Sequence, residues 1–139
     1  MKRVYIDGIF DLFHRGHLES LKQAKNTYDD VYLMVGVISD DVAKDYKRLP
    51  IISHDDRIEI IKAIDIVDEV INDPPLVITK EFTDKYNFDL VVHGFSDEKD
   101  WEKQKLFFDF LIKENKFKKI NYYDKISTTE IIGKIKHSY

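Results

Sequence analysis

No cysteine occurs among the 139 residues. That absence excludes a disulfide scaffold, a CxxC redox site and thiolate zinc sites. Arginine is nearly as scarce. Of 22 basic residues only Arg3, Arg15, Arg48 and Arg57 are arginines, and the others are lysines. No apolar run approaches the ~18–20 residues that span a bilayer. No secretory leader pattern precedes the strand-like run Val4–Tyr5–Ile6. A cytoplasmic protein with no integral membrane segment is therefore expected. Internal repeats, low-complexity tracts and linkers are also missing, as are the GxxxxGK[ST] and GxGxxG phosphate loops.

What remains is enough for one core. A chain of 139 residues predicts a single domain over 1–139. Its 43% hydrophobic and 13% aromatic residues suffice to fill that domain. With 26 acidic residues against 22 basic ones the net charge is −4, which argues against a dedicated nucleic-acid binder. It leaves room for a local basic pocket.

Short β-branched runs alternate with segments of helical period. Strands are predicted at Arg3–Ile6, Val31–Ile38, Ile66–Ile71, Asp89–His93 and Phe117–Tyr123. Val31–Ile38 is nearly continuous apolar sequence, as in a strand buried on both faces. Helices are predicted over Gly16–Tyr28, after Ser53 through Ile58, Ile61 and Ile64, through Ile78, Phe82 and Tyr86, and over Asp100–Lys113. Ser127 with Glu130 is a capping box ahead of a last helix carrying Ile131, Ile132 and Ile135. This alternation predicts an α/β domain: a doubly wound, Rossmann-like parallel sheet of about five strands with helices on both faces. Such sheets bind ligands beyond the carboxyl ends of their strands, at the topological switch point.

The first strand end, Asp7–His17, is the richest stretch. Gly8 gives a turn, and His14 and His17 flank Gly16 where a helix starts. Residues three apart share a helix face, so both rings can serve one ligand. The helix N-terminus adds free N–H groups, so the group reads as an anion site suited to a polyphosphate. Ordinary polar histidines are the alternative, and a zinc site lacks a third ligand nearby.

These residues resemble the cytidylyltransferase family that makes CDP-choline, CDP-ethanolamine and CDP-glycerol, within the HxGH nucleotidyltransferases. Asp7–His17 looks like its GxFDxxHxGH block, Val67–Val70 like VDEV, and Ile126–Thr129 like the end of RTxGISTT. The stretch Asp84–Asp89 followed by Val92-His93-Gly94 looks nearest to the ethanolamine-phosphate enzymes. The resemblance implies transfer of a cytidylyl group from CTP to a small phosphorylated alcohol, with phosphoethanolamine favoured and pyrophosphate released. Alternatives are a nucleotide-binding homologue with weak or lost catalysis, another acceptor such as phosphocholine or glycerol 3-phosphate, or ATP as the donor. It implies Mg²⁺ carried with the nucleotide, and a homodimer. His14, His17 and Lys47 would hold the triphosphate and stabilise the transition state. Gly8, Ile9, Phe10 and Gly16, then His93 and Gly94, then Lys125, Ile126, Ser127, Thr128 and Thr129 would bind the nucleotide. Asp11 and Asp40 would orient loops or ribose.

Three departures stand out. The family's triphosphate-binding arginine falls on Tyr122, which offers no guanidinium. Lys125, Lys118 or Lys119 would have to supply the charge. A basic position near the family's subunit contact is Asp65. The aromatic residue expected of choline enzymes falls on Pro75, while Asp97, Glu98, Asp100 and Trp101 form a loop suited either to a primary ammonium or simply to solvent.

Overall fold

A computed structural model describes all 139 residues. The strands are β1 (Lys2–Gly8), β2 (Val31–Val37), β3 (Glu69–Asn72), β4 (Leu90–Gly94) and β5 (Phe117–Ile120). All pair in parallel, in the order β3-β2-β1-β4-β5. The helices are α1 (Arg15–Lys25), α2 (Asp40–Tyr46), α3 (His54–Lys62), α4 (Lys80–Tyr86), α5 (Glu98–Gln104), α6 (Asp109–Lys113) and α7 (Thr128–Ser138). A 3-10 turn, Lys105–Phe108, joins α5 to α6.

Strand alternation divides the core in two. Val4 and Ile6, Leu33, Val35 and Val37, and Leu90 and Val92 face one side, where Leu21 and Ala24 of α1 and Ile58 and Ile61 of α3 cover them. Tyr5, Met34, Ile71 and Val91 face the other, against Ile78, Phe88, Phe108 and Leu111. Both faces are therefore covered, and the expected Rossmann-like fold is present. Strand order reverses between β1 and β4, so a crevice opens above their carboxyl ends.

Several boundaries differ from the sequence expectation. β3 starts at Glu69 rather than Ile66, because the Asp68 carboxylate takes the Leu33 N–H at 2.7 Å and the Lys25 ammonium at 2.9 Å. β5 stops at Ile120, not Tyr123. Its partner β4 has ended at Gly94, and the Gln23 amide captures both the N–H and the C=O of Asn121, at 2.9 and 2.8 Å. Ile78 precedes α4, because the Thr79 hydroxyl caps the helix by accepting from Phe82 N–H. The long helix at Asp100–Lys113 is broken where the Phe107 carbonyl accepts from Ile78 N–H at 2.9 Å. α2 was not expected. Ala43 is its only buried residue, so its sequence carries no apolar period, and the Ser39 cap starts it.

Candidate active site

A cleft of about 520 Å³ lies over the switch point. Its floor is the loop after β1. The chain takes left-handed conformations at Phe10 (φ 57°) and Leu12 (φ 51°). Each costs about 1–2 kcal/mol for a residue with a Cβ. Three bonds from distant loops hold the turn. The buried Asp11 carboxylate accepts from Ile51 and Ile52 N–H at 2.8 and 2.9 Å. Its carbonyl accepts from the Thr128 hydroxyl at 3.0 Å. Asp11 thus orients loops. Asp11→Ala leaves two amides without their acceptor and is expected to lower stability by about 2–3 kcal/mol in urea unfolding. An unchanged midpoint would contradict this.

The loop delivers His14 as the N-cap of α1. His14 Nδ1 accepts from Gly16 N–H at 3.0 Å, and His17 Nδ1 accepts from His14 N–H at 3.2 Å. The two rings stack with centroids 3.8 Å apart. Gly16 is required by the close approach, since a Cβ there would lie 2.8 Å from His14 Cε1. At Gly8 a Cβ would lie 2.9 Å from the Phe10 ring, which itself packs edge-on to His17. An acceptor Nδ1 puts the proton of a neutral imidazole on Nε2. Each ring therefore keeps one N–H free to donate, and both rings line the cleft.

Burial pushes the His17 pKa down to about 3, with His14 and Lys47 adding to the shift. Burial also lowers that of His14. Near pH 7 the pair is neutral and donates through Nε2. Because the folded pKa of His17 lies below the ordinary 6.5, the unfolded chain takes the proton first. The part of the stability that His17 contributes is complete above pH 6.5 and is lost as pH falls toward 3. Urea unfolding between pH 7 and 4 is expected to show a shallower decline in His17→Asn than in wild type. Equal slopes would contradict the burial argument.

The cleft walls come from three segments. From the α2–α3 side come Tyr46, Lys47, Arg48 and Pro50, and from the β4 side His93, Gly94, Ser96, Asp100, Lys103 and Gln104. The third wall is Tyr122, Tyr123 and Ser127–Thr129 at the start of α7. Lys47 caps the C-terminus of α2. Its pKa is lowered, first by burial and then by Arg48. His93 Nδ1 lies 3.2 Å from Asp7 Oδ1, out of line for a hydrogen bond, and has no other partner.

Of the residues singled out from the sequence, Gly8, Ile9, Phe10, His14, Gly16, His17, Lys47, His93, Gly94, Ser127, Thr128 and Thr129 line the cleft. Lys125 and Ile126 fall outside its lining. The hydroxyls of the α7 start are already engaged. Ser127 accepts from Glu130 N–H, Thr128 donates to Asp11, and Thr129 accepts from Arg48. Asp97 caps α5, and Trp101 packs on Phe95 and Phe117 beneath the Lys119 ammonium, so of the acidic loop only Asp100 reaches the cleft.

The residue the sequence hid is Arg57. It is 1% exposed on α3. Its guanidinium donates to the carbonyls of Ile52, Ile9 and Ile38 at 3.0, 2.6 and 2.8 Å, and pairs with Asp40 at 2.6 Å. It ties the β1 loop, the β2 end and the α2–α3 loop behind the cleft. Asp40 is thereby a loop-orienting carboxylate.

A family model described as cytidylyltransferase-like matches residues 5–134. The chain belongs to the cytidylyltransferase-like family. Choline-phosphate cytidylyltransferase 2 of Arabidopsis thaliana is 38% identical over 140 residues, covering 99% of this chain and 45% of that protein. Ethanolamine-phosphate cytidylyltransferase of Dictyostelium discoideum is 35% identical over 133 residues, covering 96% of this chain and 36% of that protein. This cytidylyltransferase-like chain thus spans less than half the length of those curated relatives. A solved structure of a lipopolysaccharide core biosynthesis protein from Thermoplasma volcanium shares the fold, with a TM-score of 0.70 at 26% identity. That match covers 89% of this chain and 99% of the other. No helix is long and apolar enough to cross a membrane.

Proposed function

We propose that the chain transfers a cytidylyl group from CTP to a small phosphorylated alcohol. The observation that carries this reading is the stacked His14–His17 pair, whose occupied Nδ1 atoms leave two Nε2–H donors in a cleft at the switch point. An acceptor phosphate oxygen attacks the α-phosphorus of CTP. The new P–O bond forms as the α–β bridge bond breaks, and pyrophosphate leaves with the electron pair. A phosphomonoester is largely ionised near neutrality, so the step needs no strong base. Positioning and charge stabilisation supply the catalysis. Neutral histidines suit this, because each Nε2–H can donate to a phosphate oxygen while its Nδ1 keeps the backbone N–H it already accepts.

No three His, Asp or Glu side chains converge as a metal cage. Mg²⁺ enters with the nucleotide, as part of the substrate.

Phosphoethanolamine is the favoured acceptor. Asp100 is the acidic-loop carboxylate that lines the cleft, where it offers a counter-charge to a primary ammonium. It is held in place by Ser96 N–H and the Gln104 amide, at 3.0 and 2.6 Å. Phosphocholine is the second reading, favoured by the rings of Tyr46, Tyr122 and Tyr123 on the same cleft. Radiolabelled CTP with phosphoethanolamine, phosphocholine and glycerol 3-phosphate separates the acceptors. The highest kcat/KM is expected with phosphoethanolamine, and a higher value with phosphocholine would reverse the order. The proposal includes a homodimer, which sedimentation at micromolar concentration tests.

A further inference from the structure

The four arginines of this chain are not equivalent. Arg3 donates to the Tyr86 carbonyl at 2.8 Å and lies over the Tyr32 ring, on the side of the sheet away from the cleft. Arg15 is exposed and paired with Glu19 at 2.6 Å. Arg57 is saturated by three carbonyls and Asp40. Arg48 alone lines the cleft, and it has no carboxylate partner. Its single side-chain bond runs from Nη1 to the neutral Thr129 hydroxyl, at 3.1 Å.

That bond joins two segments of the cleft lining. Arg48 stands on the loop after α2, and Thr129 is in the first turn of α7. The backbone beneath Arg48 is fixed, because its N–H donates to the Ala43 carbonyl at 3.0 Å and Asp11 clamps the loop at Ile51 and Ile52. Lys47 stands beside it, and the proximity of the two cations helps lower the lysine pKa after burial has done so. Neither cation forms an ion pair, and the Asp100 carboxylate acts on Lys47 from across the cleft without touching it, so an incoming polyanion is favoured between them. The opposite wall, at Tyr122, carries a phenol and no cation.

We propose that Arg48 is a polyphosphate-binding residue of this site, held by Thr129 so that its remaining N–H donors grip the triphosphate in bidentate fashion. It supplies the guanidinium that the Tyr122 wall lacks. The inference rests on the nucleotide reading above, and extends it to a residue outside the histidine motif. A guanidinium has five donors in a fixed fork, of which Thr129 occupies one. Four remain, enough for two adjacent phosphate oxygens.

The test is equilibrium binding of CTP and, separately, of inorganic tripolyphosphate. Wild type is compared with Arg48→Met, which keeps the apolar stem, with Arg48→Lys, which keeps the charge, and with Arg15→Met outside the cleft. Arg48→Met is expected to weaken both ligands about 10- to 100-fold. Arg48→Lys falls between, and Arg15→Met leaves both affinities unchanged. Thermal unfolding of the Arg48 variants should match wild type, since no carboxylate is orphaned. Wild-type affinity for both ligands in Arg48→Met would overturn the inference and leave the proposed function standing. Binding of tripolyphosphate but not CTP by wild type, with the loss in Arg48→Met, would uphold Arg48 and sink the cytidylyl reading. Failure of wild type to bind either would overturn both.

Discussion

Replacing His14 by alanine is expected to lower kcat/KM for cytidylyl transfer by about 10²–10³-fold, the usual cost of removing one preorganised transition-state donor. Two losses are combined in that variant, because His14 is also the N-cap of α1 and accepts from Gly16 N–H. The cap is worth only ~1 kcal/mol of stability. His14→Asn separates the two. Asparagine restores a side-chain acceptor at the cap but does not place a donor where Nε2–H stood. Its unfolding midpoint should return toward wild type while its turnover stays low. The deficit should fall on kcat more than on the KM for CTP, since the donor matters most as charge builds at the α-phosphorus. A His14→Asn enzyme with full turnover would remove the histidine pair from the mechanism.

The second large effect is on the fold. Arg57→Ala is expected to lower stability by about 2–4 kcal/mol, because a buried guanidinium that holds several charge-assisted bonds is lost while its partner Asp40 stays half-exposed. Three carbonyls, the buried one of Ile38 and the half-buried ones of Ile9 and Ile52, lose a charged donor together, and Asp40 loses its partner. Arg57→Lys should recover only part of this, because a single ammonium cannot reach three carbonyls and a carboxylate arranged around a planar fork. The cleft should suffer with the fold, since Ile9 and the α2–α3 loop are tied through this side chain. Urea unfolding gives the stability, and the KM for CTP under native conditions gives the effect on the cleft. A loss below ~1 kcal/mol would show that the network is not what joins these loops.

These two residues also show what the sequence could reveal. His14 and His17 were readable because the whole motif is local. Strand, glycine, two histidines and helix start lie within Asp7–His17, although the rings meet through the reciprocal bonds of the N-cap and N3 positions of α1 rather than on one helix face. The sheet was readable for the same reason. VYLMVGVI has no polar face, so it had to be covered on both sides, and the structure covers it with α1 and α3 on one side and the aromatic layer around Phe88 on the other.

Arg57 was not readable. Its burial depends on three carbonyls from segments up to 48 residues away, and nothing in HDDRIEI distinguishes it from a solvated helix arginine. Arg48 was hidden likewise, as one of a group of cations after a short helix, α2, that buries only Ala43. β3 and β5 are shorter than their apolar runs because side chains, Asp68 and Gln23, take backbone partners that a ladder would otherwise hold. Residues that act through local spacing were legible. Residues that act by joining distant loops were not.

The reaction proposed for this cleft is the transfer of a cytidylyl group. Incubating the chain with CTP labelled at the α-phosphate, Mg²⁺ and phosphoethanolamine tests it directly. Label is expected to pass from CTP into a CDP-alcohol, with one pyrophosphate released for each product formed and none without acceptor. Label that remains in CTP with every phosphorylated alcohol, although CTP binds, would contradict it.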